Sequence, residues 1–163
     1  MPEQAQPMTL RAATPADRDF LLAVFASTRT EELAALSFAP EQSQAFLLMQ
    51  FNVQQQNYDA AYPAASNSII VLADQSVGRM LVDRSDAAIE LIDIAVLAEY
   101  RNRGIGSALI RGLMDEAGAA QKPLDLSVYI TNPARRLYER LGFAEIEQES
   151  LYVRMRWVPA NIS

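Results

Sequence analysis

Ala88–Leu113, AIELIDIAVLAEYRNRGIGSALIRGL, changes its periodicity twice, and the fold is read from those changes. It begins as an apolar run carrying two carboxylates, Glu90 and Asp93. It then passes through a short polar loop with two glycines, Arg101-Asn102-Arg103-Gly104-Ile105-Gly106, and from Ser107 to about Ala119 resumes with apolar residues at helical spacing. A strand, a loop and a helix in this order bring backbone amides to a helix start, where the helix dipole adds partial positive charge. Glycine lets such amides approach an anion closely. A phosphate-bearing ligand is the first expectation.

Working outward, the flanks supply alternating strand and helix signals. Before the stretch, Met8–Ala12 reads as a short strand after a tail ending near Pro7. Thr14-Pro15-Ala16-Asp17 reads as a helix start, with Thr14 as the cap, Pro15 as the first helical residue and Asp17 at the positive end. Phe20, Leu21, Val24 and Phe25 follow at helical spacing. Thr30–Leu36 is a second helix, and a longer one starts at Pro40 with Ala45, Phe46, Met49 and Val53 as its expected buried stripe. Ser68–Ala73 and Gly78–Val82 form a hairpin around Asp74-Gln75-Ser76.

After the stretch, Leu124–Ile130 has strand character and Thr131-Asn132-Pro133 starts another helix. Its apolar residues Ala134, Leu137, Tyr138 and Leu141 share one face, and Gly142 stops it. Phe143–Ile146 and Leu151–Val158 are the last strands. The order predicts one mixed α/β domain over the whole chain, without a repeat or an interdomain linker.

Composition narrows the chemistry. The 163 residues are half hydrophobic and include neither cysteine nor histidine. Thiol nucleophiles, disulfides, histidine-based triads and the usual zinc sites are therefore excluded, and no metal is expected. A net charge of -6 argues against a nucleic-acid partner, which requires a dense basic face. No apolar run approaches a membrane span and the N-terminal residues lack a signal-peptide pattern, so a cytoplasmic protein is the default expectation.

The loop has competing readings. A Walker phosphate loop needs a Lys-Ser/Thr pair after its last glycine, and none follows here. A dinucleotide fingerprint needs Gly or Ala where Leu109 stands, although Asp125 lies at about the right distance for its acidic residue. Taken alone, a Gly-x-Gly is most simply a plain strand-to-helix turn. More of the chain speaks for a third reading. Ile94-Ala95-Val96, then Arg101-x-x-Gly104-x-Gly106, then Asn132-x-Ala134-x-x-Leu137-Tyr138-x-x-x-Gly142-Phe143 together resemble the GNAT superfamily of acyl-CoA-dependent N-acetyltransferases. The resemblance spans Ile89–Phe143, with a compatible element order on either side.

That resemblance implies a GNAT fold, a mixed and largely antiparallel sheet of six or seven strands with helices on both faces. It implies acetyl-CoA as co-substrate, with its pyrophosphate on the amides of Arg103, Gly104, Ile105, Gly106 and Ser107 and its pantetheine arm between two splayed parallel strands. Arg101 is a motif member that braces the loop, and Asn132 caps its helix or contacts the arm. Tyr138 becomes the general acid that protonates the departing thiolate. Glu90, eleven residues before Arg101, stands where some members carry a general base, with ordered water as the alternative, while Asp93 is assigned a structural hydrogen bond. Amides of Ile94, Ala95 and Val96 would stabilise the oxyanion.

With no cysteine to carry the acetyl group, direct transfer to a primary amine in a ternary complex is expected. The acceptor is a small-molecule or peptide amine that the sequence does not identify. A homodimer is common in such folds, though no residue here demonstrates one. The rival reading is a non-catalytic acyl-CoA-binding or regulatory domain of the same fold.

Overall fold

The computed structural model describes residues 7–160; most of the expected N-terminal tail lies outside that range. Along the chain run β1 (Met8–Ala12), α1 (Arg18–Ser27), α2 (Thr30–Leu36), α3 (Pro40–Ala61), β2 (Ser66–Leu72), β3 (Gln75–Arg84) and β4 (Ile89–Val96). They are followed by α4 (Ile105–Ala120), β5 (Leu124–Tyr129), α5 (Ala134–Leu141), β6 (Ala144–Glu149) and β7 (Tyr152–Trp157). Short 3-10 turns lie at Pro15–Asp17 and Ala98–Tyr100.

The strands form a seven-stranded sheet in the order β1-β2-β3-β4-β5-β7-β6. β1 with β2, β5 with β7 and β6 with β7 are antiparallel, whereas β4 and β5 are parallel. A parallel neighbour requires a crossover, and α4 provides it. The mixed, largely antiparallel sheet is the one expected from the sequence. The chain divides into two compact units, Met1–Met80 with Ile94–Arg101 and Leu81–Asp93 with Asn102–Ser163.

In the first unit, the turn into α1 is built by Asp17. Its carboxylate accepts two bonds from Arg11, at 2.7 and 2.9 Å, and one from the Thr14 amide at 2.8 Å. Leu21 and Phe25 of α1 pack with Phe51 of α3 and Ile69 of β2 in a hydrophobic cluster. Phe25 and Phe51 meet as tilted rings 5.7 Å apart, a favourable aromatic arrangement. The expected stripe on α3 is corrected here: Ala45, Met49 and Val53 are exposed, Phe46 is half-buried, and the buried residue is Phe51. Apolar residues occur around much of this helix, so periodicity gave several possible faces, and packing against Phe25 selected the one containing Phe51. The β2–β3 hairpin turns at Ala73 and Asp74, both left-handed with φ of 49° and 67°, as a tight two-residue hairpin turn requires.

In the second unit, Ile105, Leu109, Ile110, Leu113 and Ala117 make the buried stripe of α4. Leu124, Leu126 and Val128 of β5 are buried as well. α5 behaves differently. Its apolar residues Ala134, Leu137, Tyr138 and Leu141 lie on one face, but all are only half-buried. Gly142 ends the helix at φ 105°, and an added Cβ there would meet the Trp157 ring at 3.3 Å.

Candidate active site

The phosphate-loop candidate belongs to the second unit. α4 begins at Ile105, two residues before the Ser107 start expected from apolar spacing. Gly104 causes the difference: as N-cap it adopts φ 79°, which L side chains rarely do, and so lets the chain enter the helix immediately. The Ala108 amide donates to the Gly104 carbonyl at 3.0 Å. The amides of Ile105, Gly106 and Ser107 precede that bond and have no carbonyl four residues back within the helix. No other heavy atom lies within 4 Å of where a Cβ would stand on Gly104 or Gly106. Amide donors, a helix start and open space are what a pyrophosphate needs, so these residues fit the phosphate of acetyl-CoA.

The strand before the loop, β4, has β5 as its parallel neighbour. Ile89, Glu90 and Leu91 pair in parallel with Leu124, Asp125 and Leu126. The register ends there, while β5 continues to Tyr129 with β7 along its other edge. Glu90 is half-buried in β4; the bond to Asp125 chiefly raises the Arg154 pKa, and the Glu90 charge adds to it.

Its register neighbour Asp125 is 1% exposed and has two partners. Arg156 donates to it at 2.7 and 2.9 Å, and Arg154 at 3.1 Å. Burial opposes the Asp125 charge, but the bonds from Arg156 and Arg154 outweigh it and hold the carboxyl below its ordinary pKa. This arrangement corrects the dinucleotide alternative: the carboxylate considered for a ribose is occupied by two arginines.

Tyr138 projects from α5, half-buried, with its ring 6.0 Å from that of Phe143. Burial raises its pKa above the ordinary tyrosine value, and the charge of Asp93 raises it further. The phenol therefore keeps its proton at neutral pH, as a general acid must. Asn132 caps the helix: its Oδ1 accepts the Ala134 amide at 2.9 Å, while its own amide donates to Tyr129 at 2.9 Å. A cleft of about 540 Å³ opens beside it, lined in part by Thr131, Arg135, Arg136 and Glu139.

Of the remaining candidates, Ile94, Ala95, Val96 and Arg101 belong to the first unit. Ile94, Ala95 and Val96 form the half-buried end of β4. Arg101 Nε donates to the Val96 carbonyl at 2.9 Å, and its Nη2 donates to the Ser27 carbonyl and hydroxyl, each at 3.2 Å. Arg101 is thus a brace, tying the end of β4 to the end of α1. Arg103 is an exposed residue of the second unit, in the loop preceding Gly104.

Three relationships were not read from the sequence: the Ser27–Arg101 bonds, the effect of the Asp93 charge on Tyr138, and the close approach of the Ala95 carbonyl oxygen to Gly78. Ser27 carried no local signal, because its partner lies 74 residues away. Asp93 was assigned a structural hydrogen bond, and its influence on Tyr138 depends on where α5 lies. Gly78 had a usable signal, since a glycine inside a strand often marks close backbone approach.

Residues 65–145 match the model of the acetyltransferase (GNAT) domain. That stretch is a GNAT acetyltransferase domain, the family the sequence resembles. No curated protein matches it. Among solved structures it is similar to the PaiA N-acetyltransferase of Thermoplasma acidophilum in complex with coenzyme A, at 13% identity and a TM-score of 0.68 over 93% of this chain and 99% of that one. It is similar also to an acetyltransferase from Thermus thermophilus, at 18% identity and a TM-score of 0.67 over 95% and 99% of the two chains. The histone acetyltransferase HPA2 and related acetyltransferase of Corynebacterium glutamicum gives 23% identity and a TM-score of 0.66 over 96% and 98%. At these identities the structures show a shared fold. Among the described residues, no group of His, Cys, Asp and Glu is placed to hold a metal ion, and no helix is long and apolar enough to cross a membrane.

Proposed function

We propose that the protein transfers an acetyl group from acetyl-CoA to a primary amine by direct attack in a ternary complex. The observation that carries this reading is the position of Tyr138, half-buried on the motif helix with its ring 6.0 Å from that of Phe143. The open amide turn at Gly104–Ser107 supports the identity of the donor.

In this reading the amides of Arg103 to Ser107 bind the pyrophosphate, and the amide edge of β4 receives the pantetheine arm as a strand would. Glu90, directly or through water, takes a proton from the acceptor ammonium. The free amine nitrogen then bonds to the acetyl carbon, and the carbonyl π pair moves onto oxygen, where amides of Ile94–Val96 stabilise it. As the carbonyl re-forms, the carbon–sulfur bond breaks and its electron pair leaves on sulfur. Tyr138 protonates that thiolate. The amide nitrogen gives its remaining excess proton to solvent, Glu90 releases its proton there as well, and the phenolate is reprotonated from solvent.

The test is acetyl-CoA titration calorimetry, followed by a panel of small amines and peptide N-termini monitored by free CoA release. Binding with acceptor-dependent release is the expected result. Binding without transfer to any amine would support an acyl-CoA-binding regulatory domain instead, and absence of binding would overturn the proposal.

A further inference from the structure

Gly78 lies inside β3 and is buried. A Cβ placed on it would stand 2.3 Å from the Ala95 carbonyl oxygen and 3.1 Å from the Val96 Cα. The Ala95 oxygen therefore occupies the space into which a side chain at position 78 would project. A trans peptide holds its C=O and N–H on opposite sides. The Val96 N–H, at the other end of the Ala95–Val96 peptide, is consequently aimed away from Gly78.

The next peptide is held at both polar ends. The Val96 carbonyl accepts from Arg101 Nε at 2.9 Å, and the Leu97 amide donates to the Val77 carbonyl at 2.8 Å. With that peptide fixed, the Ala95–Val96 unit has little freedom to turn without displacing Arg101 or Val77. Its orientation requires the side-chain space at position 78 to be empty.

We infer that Gly78 is a positioning residue for acetyl transfer: by leaving room for the Ala95 carbonyl, it aims the Val96 N–H at the acetyl oxygen as the oxyanion donor. This rests on the acetyl-transfer reading. Gly78 touches no reacting atom and acts through the peptide of its neighbour strand. Any side chain there forces the Ala95 oxygen to withdraw by roughly an ångström to reach ordinary contact, rotating the N–H away with it.

The experiment compares the wild-type protein, Gly78→Ala and a control, Gly112→Ala, whose added methyl meets no other heavy atom within 4 Å. The readouts are acetyl-CoA affinity, turnover on an amine accepted by the wild type, and the infrared carbonyl stretch of bound acetyl-CoA labelled with 13C at the acetyl carbonyl. An oxyanion donor polarises that carbonyl and lowers its frequency on binding. Gly78→Ala should lower turnover at least tenfold, keep the acetyl-CoA dissociation constant within about twofold, and return the band toward its free position. Gly112→Ala should match the wild type in all three. Retained turnover and a retained band shift in Gly78→Ala would overturn the inference.

If Gly78→Ala does not fold, replacing the Ala95–Val96 amide by an ester supplies the second arm, because it removes the Val96 N–H and leaves Gly78 intact. Loss of the band shift is expected there; its retention would overturn the inference. Failure of the wild type to bind acetyl-CoA or acetylate any amine would overturn the acetyl-transfer reading and this inference together. A transferring wild type with an unaffected Gly78→Ala would overturn the inference alone.

Discussion

Arg101 Nε donates to the Val96 carbonyl at 2.9 Å, so the first arginine of the loop motif holds the end of the strand that precedes it. The same guanidinium reaches Ser27 at the end of α1 through Nη2. Arg101→Ala removes these bonds at an exposed position and should cost about 1 kcal/mol of folding stability. Its larger effect should fall on turnover, because the end of β4 loses its anchor. Lysine has a single terminal nitrogen and cannot reproduce the fork, so Arg101→Lys should not restore activity. Chemical denaturation beside steady-state kinetics of the two variants checks both statements; full turnover in Arg101→Ala would refute the brace.

For Tyr138, replacement by Phe removes the proton and keeps most of the packing against Phe143. Turnover should fall roughly 100-fold, within the range of general-acid contributions, while acetyl-CoA affinity changes little. Acid catalysis requires the protonated phenol, so the alkaline limb of the rate profile should appear as pH rises through the Tyr138 pKa. Burial and the Asp93 charge place that pKa above the ordinary value. Asp93→Asn should therefore move the alkaline limb of the turnover profile to lower pH. An alkaline limb that persists unchanged in Tyr138→Phe would assign it to another group.

The two loop glycines should respond differently. Gly106 lies in the first turn of α4 with open space around it. Gly106→Ala should raise stability by up to about 1 kcal/mol through helix propensity, yet weaken CoA binding because the methyl occupies the anion's approach. Gly104 sits at φ 79° with no neighbour near its missing Cβ. Gly104→Val should act through backbone strain and not through crowding, on the order of 1–2 kcal/mol or more for a β-branched residue. Thermal melts with and without CoA separate the two. A Gly106→Ala protein that binds CoA like the wild type would count against the amide cradle.

The Asp125 cluster governs acid stability. Burial disfavours the Asp125 charge, but Arg156 and Arg154 hold its folded pKa below the ordinary carboxyl value. Its stabilising contribution is therefore present above a pH of about 4, the unfolded carboxyl value, and is lost as pH falls through the folded pKa. Asp125→Asn leaves the arginines facing a neutral amide and should destabilise by about 3 kcal/mol at neutral pH. The difference from the wild type should shrink in acid. Urea melts across pH 3–7 measure it; a pH-independent difference would show that packing, and not the ion pairs, sets the cost.

Much of this molecule is local and could be read directly from the chain. Apolar spacing in α4 and α5, Thr14 and Asp17 before α1, Pro40 at the start of α3 and Gly142 at the end of α5 act over a few residues. The glycines at positions 104 and 106 and the Asn132–Phe143 motif pointed to the candidate phosphate loop and the candidate acid Tyr138 because such signals depend on neighbours in sequence. Where local signals were degenerate the reading failed. The α3 stripe had several apolar faces available, and the α4 start turned on a left-handed N-cap that spacing does not reveal.

The amino-acid order alone thus determined the succession of strands and helices, the family resemblance and the candidate acid. Only the tertiary structure decided that Arg101 reaches Ser27 across 74 residues, that Asp125 is held by Arg154 and Arg156, and that the Ala95 carbonyl fills the space left by Gly78. Helix periodicity and capping are settled by atoms one or two turns away. Contacts between strands depend on register, and a slip of one residue turns each side chain to the opposite face. That register is set by the packing of the whole sheet, which no short stretch of this sequence contains.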